Sequence, residues 1–414
     1  MRRVEVRLQQ GDTTQVVGTL AERERRTYFE YAPSFVETGL QISPLNLQLG
    51  PGVQECPLQP FGGLPGVFAD SLPDGWGLLL MDRAFRQRGV SREAISPADR
   101  LAFLGTRAMG ALTYHPATGP EERVGEELEL DEIAEQAQRL LEGSAEEVLP
   151  ELLRAGGSPG GARPKVVIGY RERDGAMIAG TETLPADFHP YLVKFGARGD
   201  TPDAGAVELA YARMAAAAGI CVPATRLFTT PAGGRYFAAE RFDRPGGERR
   251  HVHTLAGLLH ADFRIPSLDY EAYLRATLFV TLDMGGVTEA FRRMLFNVLA
   301  CNRDDHARNF AFLMEPDGTW RHTPAYDLTF SAGPGGEHTM AVAGEGRAPG
   351  RRHFTDLARK MSITPAALDA MLEQAAAAVA RWPEFAADTG VGAEQIDEIG
   401  RRLARVREST LRRA

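Results

Sequence analysis

Asp304 and Asn309 stand five residues apart in the polar run Asn302-Arg303-Asp304-Asp305-His306-Ala307-Arg308-Asn309. A carboxylate so placed can orient an attacking hydroxyl and accept its proton, while a carboxamide oxygen on the same short loop can hold a divalent cation that neutralises phosphates. That division of labour is phosphoryl-transfer chemistry. Arg303 completes an Arg-Asp pair at the start of the loop. Asp327 follows in Tyr326-Asp327-Leu328, after the apolar run Phe310-Ala311-Phe312-Leu313-Met314 and a turn at Pro316-Asp317-Gly318. The order strand, turn, strand, acid brings a second oxygen ligand to the metal from another direction. The structural alternative makes both acids turn residues and Asn309 a helix cap. His306, inside the loop, reads as an orienting residue rather than a base.

Upstream residues complete the set in the order that protein kinases use. Lys194 ends the apolar strand pattern Pro190-Tyr191-Leu192-Val193-Lys194, where a lysine can pair nucleotide phosphates. Glu208 is the acid that would hold it, on a helix whose Val207, Ala210, Tyr211, Met214, Ala215 and Ala218 share a face before Gly219 ends it. Taken singly, Lys194 also reads as a strand-end surface lysine and Glu208 as a favourable first-turn acid. Ahead of both, Gly156-Gly157-Ser158-Pro159-Gly160-Gly161-Ala162-Arg163-Pro164-Lys165 enters the strand pattern Val166-Val167-Ile168-Gly169-Tyr170. This is no Walker A, which leads into a helix. Glycines let backbone amides approach a phosphate, with Arg163 or Lys165 adding charge; a flexible linker is the alternative. The strand Arg235 to Glu240 then runs into Arg241-Phe242-Asp243-Arg244, which places Glu240 and Phe242 where a kinase hinge would meet adenine.

These residues need elements to hold them. With 414 residues the chain exceeds one small core and predicts two or three units. The first part alternates as short strands, Val4 to Leu8 and Thr27 to Tyr31, and Gly77 to Arg88 turns helical. Residues 119–129, acidic and poor in apolar side chains, predict an exposed connector. A helix follows from about Asp131 to Glu142, with Ser144 and Glu147 as a capping-box start for the next. Val287 to Ala300 predicts an amphipathic helix delivering the catalytic loop, and Thr364-Pro365 caps a helix Ala366 to Arg381. His251-Val252-His253 alternates as a strand edge would.

Hydrophobic content of 43% and charged content of 25% are those of a soluble globular protein. No membrane-length apolar stretch and no apolar signal core are present, so the expected compartment is cytoplasm. Cys56, Cys221 and Cys301 lie far apart and predict reduced, mostly buried thiols. A net charge of −8 argues against a self-sufficient nucleic-acid surface. The Arg-rich end, Arg401 to Arg413, reads as a helix with a solvated face.

The chain resembles the HipA family of bacterial toxin Ser/Thr kinases. The likeness runs through Phe61 to Gly77, Leu101 to Gly105, Ser158 to Lys165, Glu240 to Arg244, and Asp304 to Asn309 with Asp327. It implies an α+β, two-lobed protein-kinase-like fold: a β-rich N-terminal subdomain over 1–118, an N-lobe with glycine-rich loop and ATP lysine over 119–244, and a helical C-lobe over 245–414. It implies ATP and Mg2+ as cofactors. Asp304 would be the catalytic base, and Asn309 and Asp327 the magnesium ligands. Lys194, Ser158, Gly160, Gly161, Ala162, Lys165, Glu240 and Phe242 would line the nucleotide, with Arg303, His306 and Glu208 in support. Ser158 matches the serine that the family autophosphorylates, inactivating itself. The implied partners are a small helix-turn-helix antitoxin, HipB, operator DNA reached mainly through it, and a protein substrate such as glutamyl-tRNA synthetase or another aminoacyl-tRNA synthetase, whose modification arrests growth. Asp-Leu-Thr stands at 327–329 where ordinary kinases have Asp-Phe-Gly, so control by a moving Phe is not expected. The rival reading is a catalytically silent corepressor of the same fold; a small-molecule phosphotransferase is a third.

Overall fold

Apolar residues at every second position make Arg2–Gln10 a half-buried strand, with Val4, Val6 and Leu8 turned inward. The computed structural model describes residues 2–11, 13–24, 26–120, 125, 127–144, 150–156, 160–180, 184–197 and 199–411. They form two compact units, each described by itself: Met1–Thr201 with Phe228–His253 and Leu313–Thr319, and Pro202–Leu227 with Thr254–Phe312 and Trp320–Ala414.

The first unit holds two five-stranded sheets. One runs Val53–Glu55, Arg26–Tyr31, Thr13–Arg23, Arg2–Gln10, Leu112–His115. The other runs Met177–Ala179, Lys165–Tyr170, His189–Lys194, Arg235–Glu240, Thr225–Thr229. The helix Gly75–Gln87 joins its Trp76, Leu80 and Met81 to Val166, Ile168 and Val193 of the second sheet in one apolar core. The helix expected from about Asp131 spans Leu130–Leu141 and buries Leu130, Ile133, Ala137 and Leu140.

One expectation fails at a single residue. In the stretch read as an exposed connector, Leu128 is buried and its N–H donates to the Met177 carbonyl at 3.1 Å, because the Leu128 side chain joins that core. The Ser144 hydroxyl donates back to the Arg139 carbonyl at 3.0 Å at the end of the Leu130–Leu141 helix, and the capping box expected of Ser144 and Glu147 extends over residues outside those described.

The second unit is mainly helical: Ala204–Ala217, Tyr270–Thr281, Met284–Leu299, Arg351–Lys360, Pro365–Ala380, Trp382–Asp388 and Ala393–Leu411. Side-chain caps start three of them, since Asp269 accepts from the Ala272 N–H, Asp283 from Gly285 and Gly286, and Thr364 from Ala367. Tyr211 packs edge-on against Trp382, and its hydroxyl donates to the Ala300 carbonyl at 2.7 Å. The helix bearing Glu208 starts at Ala204, so Glu208 occupies its second turn and is 4% exposed. The reading of Glu208 as a first-turn acid facing the helix dipole therefore falls.

Cys56 and Cys301 are buried free thiols, and Cys221 is the exposed exception. Among the described residues no helix is long and apolar enough to cross a membrane.

Candidate active site

In the first unit the antiparallel register pairs Lys165 directly with Lys194, so both side chains leave the same face at the ends of neighbouring strands. Lys194 Nζ lies 5.5 Å from the centre of the Phe237 ring, its partner on the other side. Lys165 is 4% exposed, and the glycine-rich segment folds over it: Gly161 has φ +106°, and a Cβ there would collide with Lys165 Nζ. Two lysines beneath a glycine turn form a cationic cradle of the kind that holds phosphate. Gly160, Gly161 and Ala162 belong to this turn, whereas Ser158 lies outside the described residues.

A brace missed in the sequence reading holds the cradle's base. Asp74, in the usual capping position before Gly75–Gln87, makes no side-chain cap; its carboxylate instead accepts the Gly161 N–H. The Trp76 N–H donates to the Gly161 carbonyl at 3.0 Å and its indole N–H to the Lys165 carbonyl at 3.1 Å. Gly75 (φ +39°) allows the approach, because a Cβ would stand 2.7 Å from Ala162 Cα. The run Asp74-Gly75-Trp76 was visible in the sequence, but its target lies 87 residues away.

The turn read as a hinge is built on Asp243. Its buried carboxylate accepts from Arg241 Nε at 3.0 Å, from Arg241 Nη2 and Arg244 Nη1 at 2.7 Å, and from the Gly110 N–H at 2.7 Å. Burial alone would raise this carboxyl, but the two guanidinium groups override it and hold it well below the ordinary range. Glu240 sits at the end of its strand, with His189 Nδ1 3.8 Å away, and Phe242 is half-buried.

In the same unit His253 lies between Asp70 (2.6 Å) and Ser43 (3.0 Å), the hydrogen-bond order of an acyl-transfer triad. Ser43 is 1% exposed, so no substrate reaches it. With His251, whose ring nitrogen donates to the Ile42 carbonyl at 2.9 Å, the pair pins the 42–43 segment.

In the second unit the loop after Met284–Leu299 parts two adjacent carboxylates. The Asp304 side chain is 62% exposed, while that of Asp305 is fully buried. Asn309 Nδ2 donates to the Asp304 carbonyl at 2.8 Å, which anchors the carboxamide and makes Oδ1 the side-chain atom that could ligate a cation. Asn309 lines one pocket with Asn302, Tyr326 and Leu328, the last two being the residues that flank Asp327 in the chain. Asp327 has φ +55°, a left-handed conformation that short polar side chains tolerate. Asn302 Oδ1, in the same pocket, is buried with no hydrogen-bond partner among the described residues.

These oxygens suit magnesium, which takes one or two protein carboxylates and completes its shell with water and phosphate. His306 Nε2 lies 3.9 Å from Asp304 Oδ1, with its ring against Phe263 at 5.7 Å. Arg303 spans to the carbonyls of Ala332 (3.2 Å) and Arg347 (3.3 Å). Lys194 and Glu208 fall in different units.

A lysine-bearing sheet under a glycine turn and a helical unit carrying an Asp-x4-Asn loop define the class: an α+β, two-lobed protein of kinase-like fold. Within that class the chain belongs to the HipA family, for residues 6–115 match the HipA N-terminal domain and residues 157–382 the HipA-like C-terminal domain. The same fold is found in a structure of the Shewanella oneidensis MR-1 toxin–antitoxin system, HipA, HipB and operator DNA. There the TM-score is 0.71 at 18% identity, over 98% of this chain and 96% of that one. The Helicobacter pylori proinflammatory kinase CtkA gives a TM-score of 0.39 at 12% identity, over 54% of this chain and 87% of that one. No curated protein matches the chain.

Proposed function

We propose that this protein is an ATP- and Mg2+-dependent protein Ser/Thr kinase, the toxin of a toxin–antitoxin pair. The observation that carries the reading is the Asp304–Asn309 loop: an exposed carboxylate whose own backbone carbonyl anchors the carboxamide beside it. Bound Mg-ATP supplies the transferable phosphoryl group and neutralises its charge. Lys194 and Lys165 place cations against phosphate, beneath the turn of Gly160, Gly161 and Ala162. Asn309 Oδ1 and Asp327 offer oxygens to the metal, and Glu240 and Phe242 lie where adenine would be held. Asp304 accepts the proton of the attacking serine or threonine hydroxyl. Phosphorylation of Ser158, two residues from Gly160, would add a charge of about −1.5 to −2 to a segment that must receive anionic phosphates. The nucleotide would then be repelled and the enzyme silenced.

Family membership supports a HipB-like helix-turn-helix antitoxin as partner, with operator DNA contacted mainly through it. The net charge of −8 agrees with DNA binding being delegated. An aminoacyl-tRNA synthetase, glutamyl-tRNA synthetase first, is the substrate to test, in the cytoplasm.

The test is incubation with Mg-ATP and mapping of phosphate by mass spectrometry, with Asp304→Asn in parallel. Phosphate on Ser158 in the unmutated protein, reduced about 10²–10⁴-fold in the variant, is the expected result. No incorporation, in folded and unphosphorylated material, overturns the reading in favour of a silent corepressor.

A further inference from the structure

Asp305 invites a role as a spare base, yet every contact it makes points to a different task. Its Oδ2 accepts the Tyr270 hydroxyl at 2.7 Å and His338 Nδ1–H at 2.8 Å, and its Oδ1 accepts the Thr339 N–H at 2.8 Å. Behind Tyr270 the donors run in one direction. Asn302 Nδ2 donates to Asn297 Oδ1 at 3.0 Å, and Asn297 Nδ2 donates to the Tyr270 oxygen at 3.0 Å. The chain of donors thus ends on the buried Asp305 carboxylate. Burial, and then the neighbouring Asp305 carboxylate, push the Tyr270 phenol well above its ordinary range, so it remains a donor.

The geometry brackets the catalytic dipeptide. Asn302 and Asp305, on either side of Arg303-Asp304, are both tied into this network. The Arg303 carbonyl accepts from Thr339 Oγ1 at 3.1 Å, and the Cys301 carbonyl from the Ser331 N–H at 2.9 Å. Residues 331–339 lie downstream of Asp327, and Asn309 is fixed to the Asp304 carbonyl. The Asp305–His338 contact therefore joins the two segments that carry the candidate metal ligands.

We infer that Asp305, His338 and Tyr270 form a clasp that sets where Asn309 and Asp327 stand, making Asp305 and His338 positioning residues for the metal–nucleotide site. This rests on the phosphoryl-transfer reading above. Groups that orient ligands without touching the metal commonly change its affinity by about 10–100-fold.

The test is the affinity for Mn2+ with a non-hydrolysable ATP analogue, read by electron paramagnetic resonance on the full chain. Hydrogen exchange at the Thr339 amide is followed in the same samples. His338→Ala is expected to weaken Mn2+–nucleotide binding about tenfold or more and to release the Thr339 amide. His338→Asn, which returns a donor near the Nδ1 position, is expected to restore both. Leu372→Ala, in the buried core of the same unit, controls for general loss of stability and should bind as the unmutated protein does. Unchanged binding in His338→Ala, or an equal loss in Leu372→Ala, overturns the inference while leaving the kinase reading intact. Absence of Mn2+–nucleotide binding in the unmutated protein overturns both.

Discussion

Replacing Asp243 by Asn tests whether the Arg241–Arg244 turn is held by charge. The carboxylate is 1% exposed and receives four donors, three of them on Oδ2. The amide variant keeps one oxygen and turns an NH2 towards the site of another. If Oδ2 is kept, Arg241 Nε faces a donor; if it is lost, Arg241, Arg244 and Gly110 do. In either case two guanidinium groups, 7% and 6% exposed, lose their counter-charge. Hydrogen bonds to charged groups contribute about 1.5–3 kcal/mol each, and breaking a buried ion pair costs about 3–5 kcal/mol. A loss of about 3–5 kcal/mol is therefore expected in the first unit.

The assay is urea unfolding followed by Trp76 fluorescence, with Trp320 and Trp382 replaced by Phe so that the buried Trp76 alone reports. Because the folded Asp243 carboxyl is depressed, its contribution is fully present above an unfolded pKa of about 4 and is lost as pH falls below that value. The gap between protein and variant should be constant from about pH 8 to 5 and narrow only under strong acid. Asp187→Asn, which removes an exposed partner of Arg171 and Arg173, should leave the midpoint unchanged. A cost for Asp243→Asn below about 1 kcal/mol, or a gap that closes between about pH 5 and 7, would refute the reasoning.

His251→Gln should flatten part of the acid limb of the stability curve. Burial pushes His251 down to about 4, so its contribution is complete above about pH 6.5, fades towards 4, and amounts to about 3 kcal/mol. Denaturant midpoints from pH 4 to 7 check this; a residual slope belongs to His322, lowered to about 3 by burial and by Arg293. Gly75→Ala should displace the base of the glycine turn, raising the ATP KM in a phosphoryl-transfer assay more than it lowers kcat, since its Cβ would meet Ala162 and Gly161. Leu282→Gly should stabilise the second unit by up to about 1 kcal/mol in urea unfolding, because Leu282 is 85% exposed with φ +52° and gives up little packing.

Local patterns were legible where one element decides them. Strand alternation, the Thr364 cap, the glycine after Ala204–Ala217 and the lysine-bearing strand were read correctly because each depends on neighbours within a turn or two. The start of the Glu208 helix was misjudged, since Asp203 is followed by Ala204 and Gly205 with no side-chain cap to mark the boundary. Leu128 was misjudged because two apolar residues four apart in an acidic run, Val124 and Leu128, are too few to establish a periodicity, and only the sheet edge gives Leu128 a place. The brace from Asp74 to Gly161 and the Asp243 hub were out of reach for the same physical reason. An Asp before a helix announces a cap, and an Arg-x-Asp-Arg run a solvated turn, until burial shows otherwise.

The pair Asp304-Asp305 shows where such reading ends. Two adjacent carboxylates have the same side chain and the same sequence distance to Asn309 within a residue. Kinase spacing selects the first, but spacing cannot say what becomes of the second. The loop turns one acid outward to 62% exposure and the other inward to none. A buried carboxylate persists only with donors enough to replace water, and those donors come from residues 35, 33 and 34 positions away: Tyr270, His338 and Thr339. The exposed acid is therefore suited to chemistry because its neighbour has taken up the structural work. An acid that must meet a substrate hydroxyl cannot also be surrounded by protein donors, and the loop separates the two requirements onto adjacent residues.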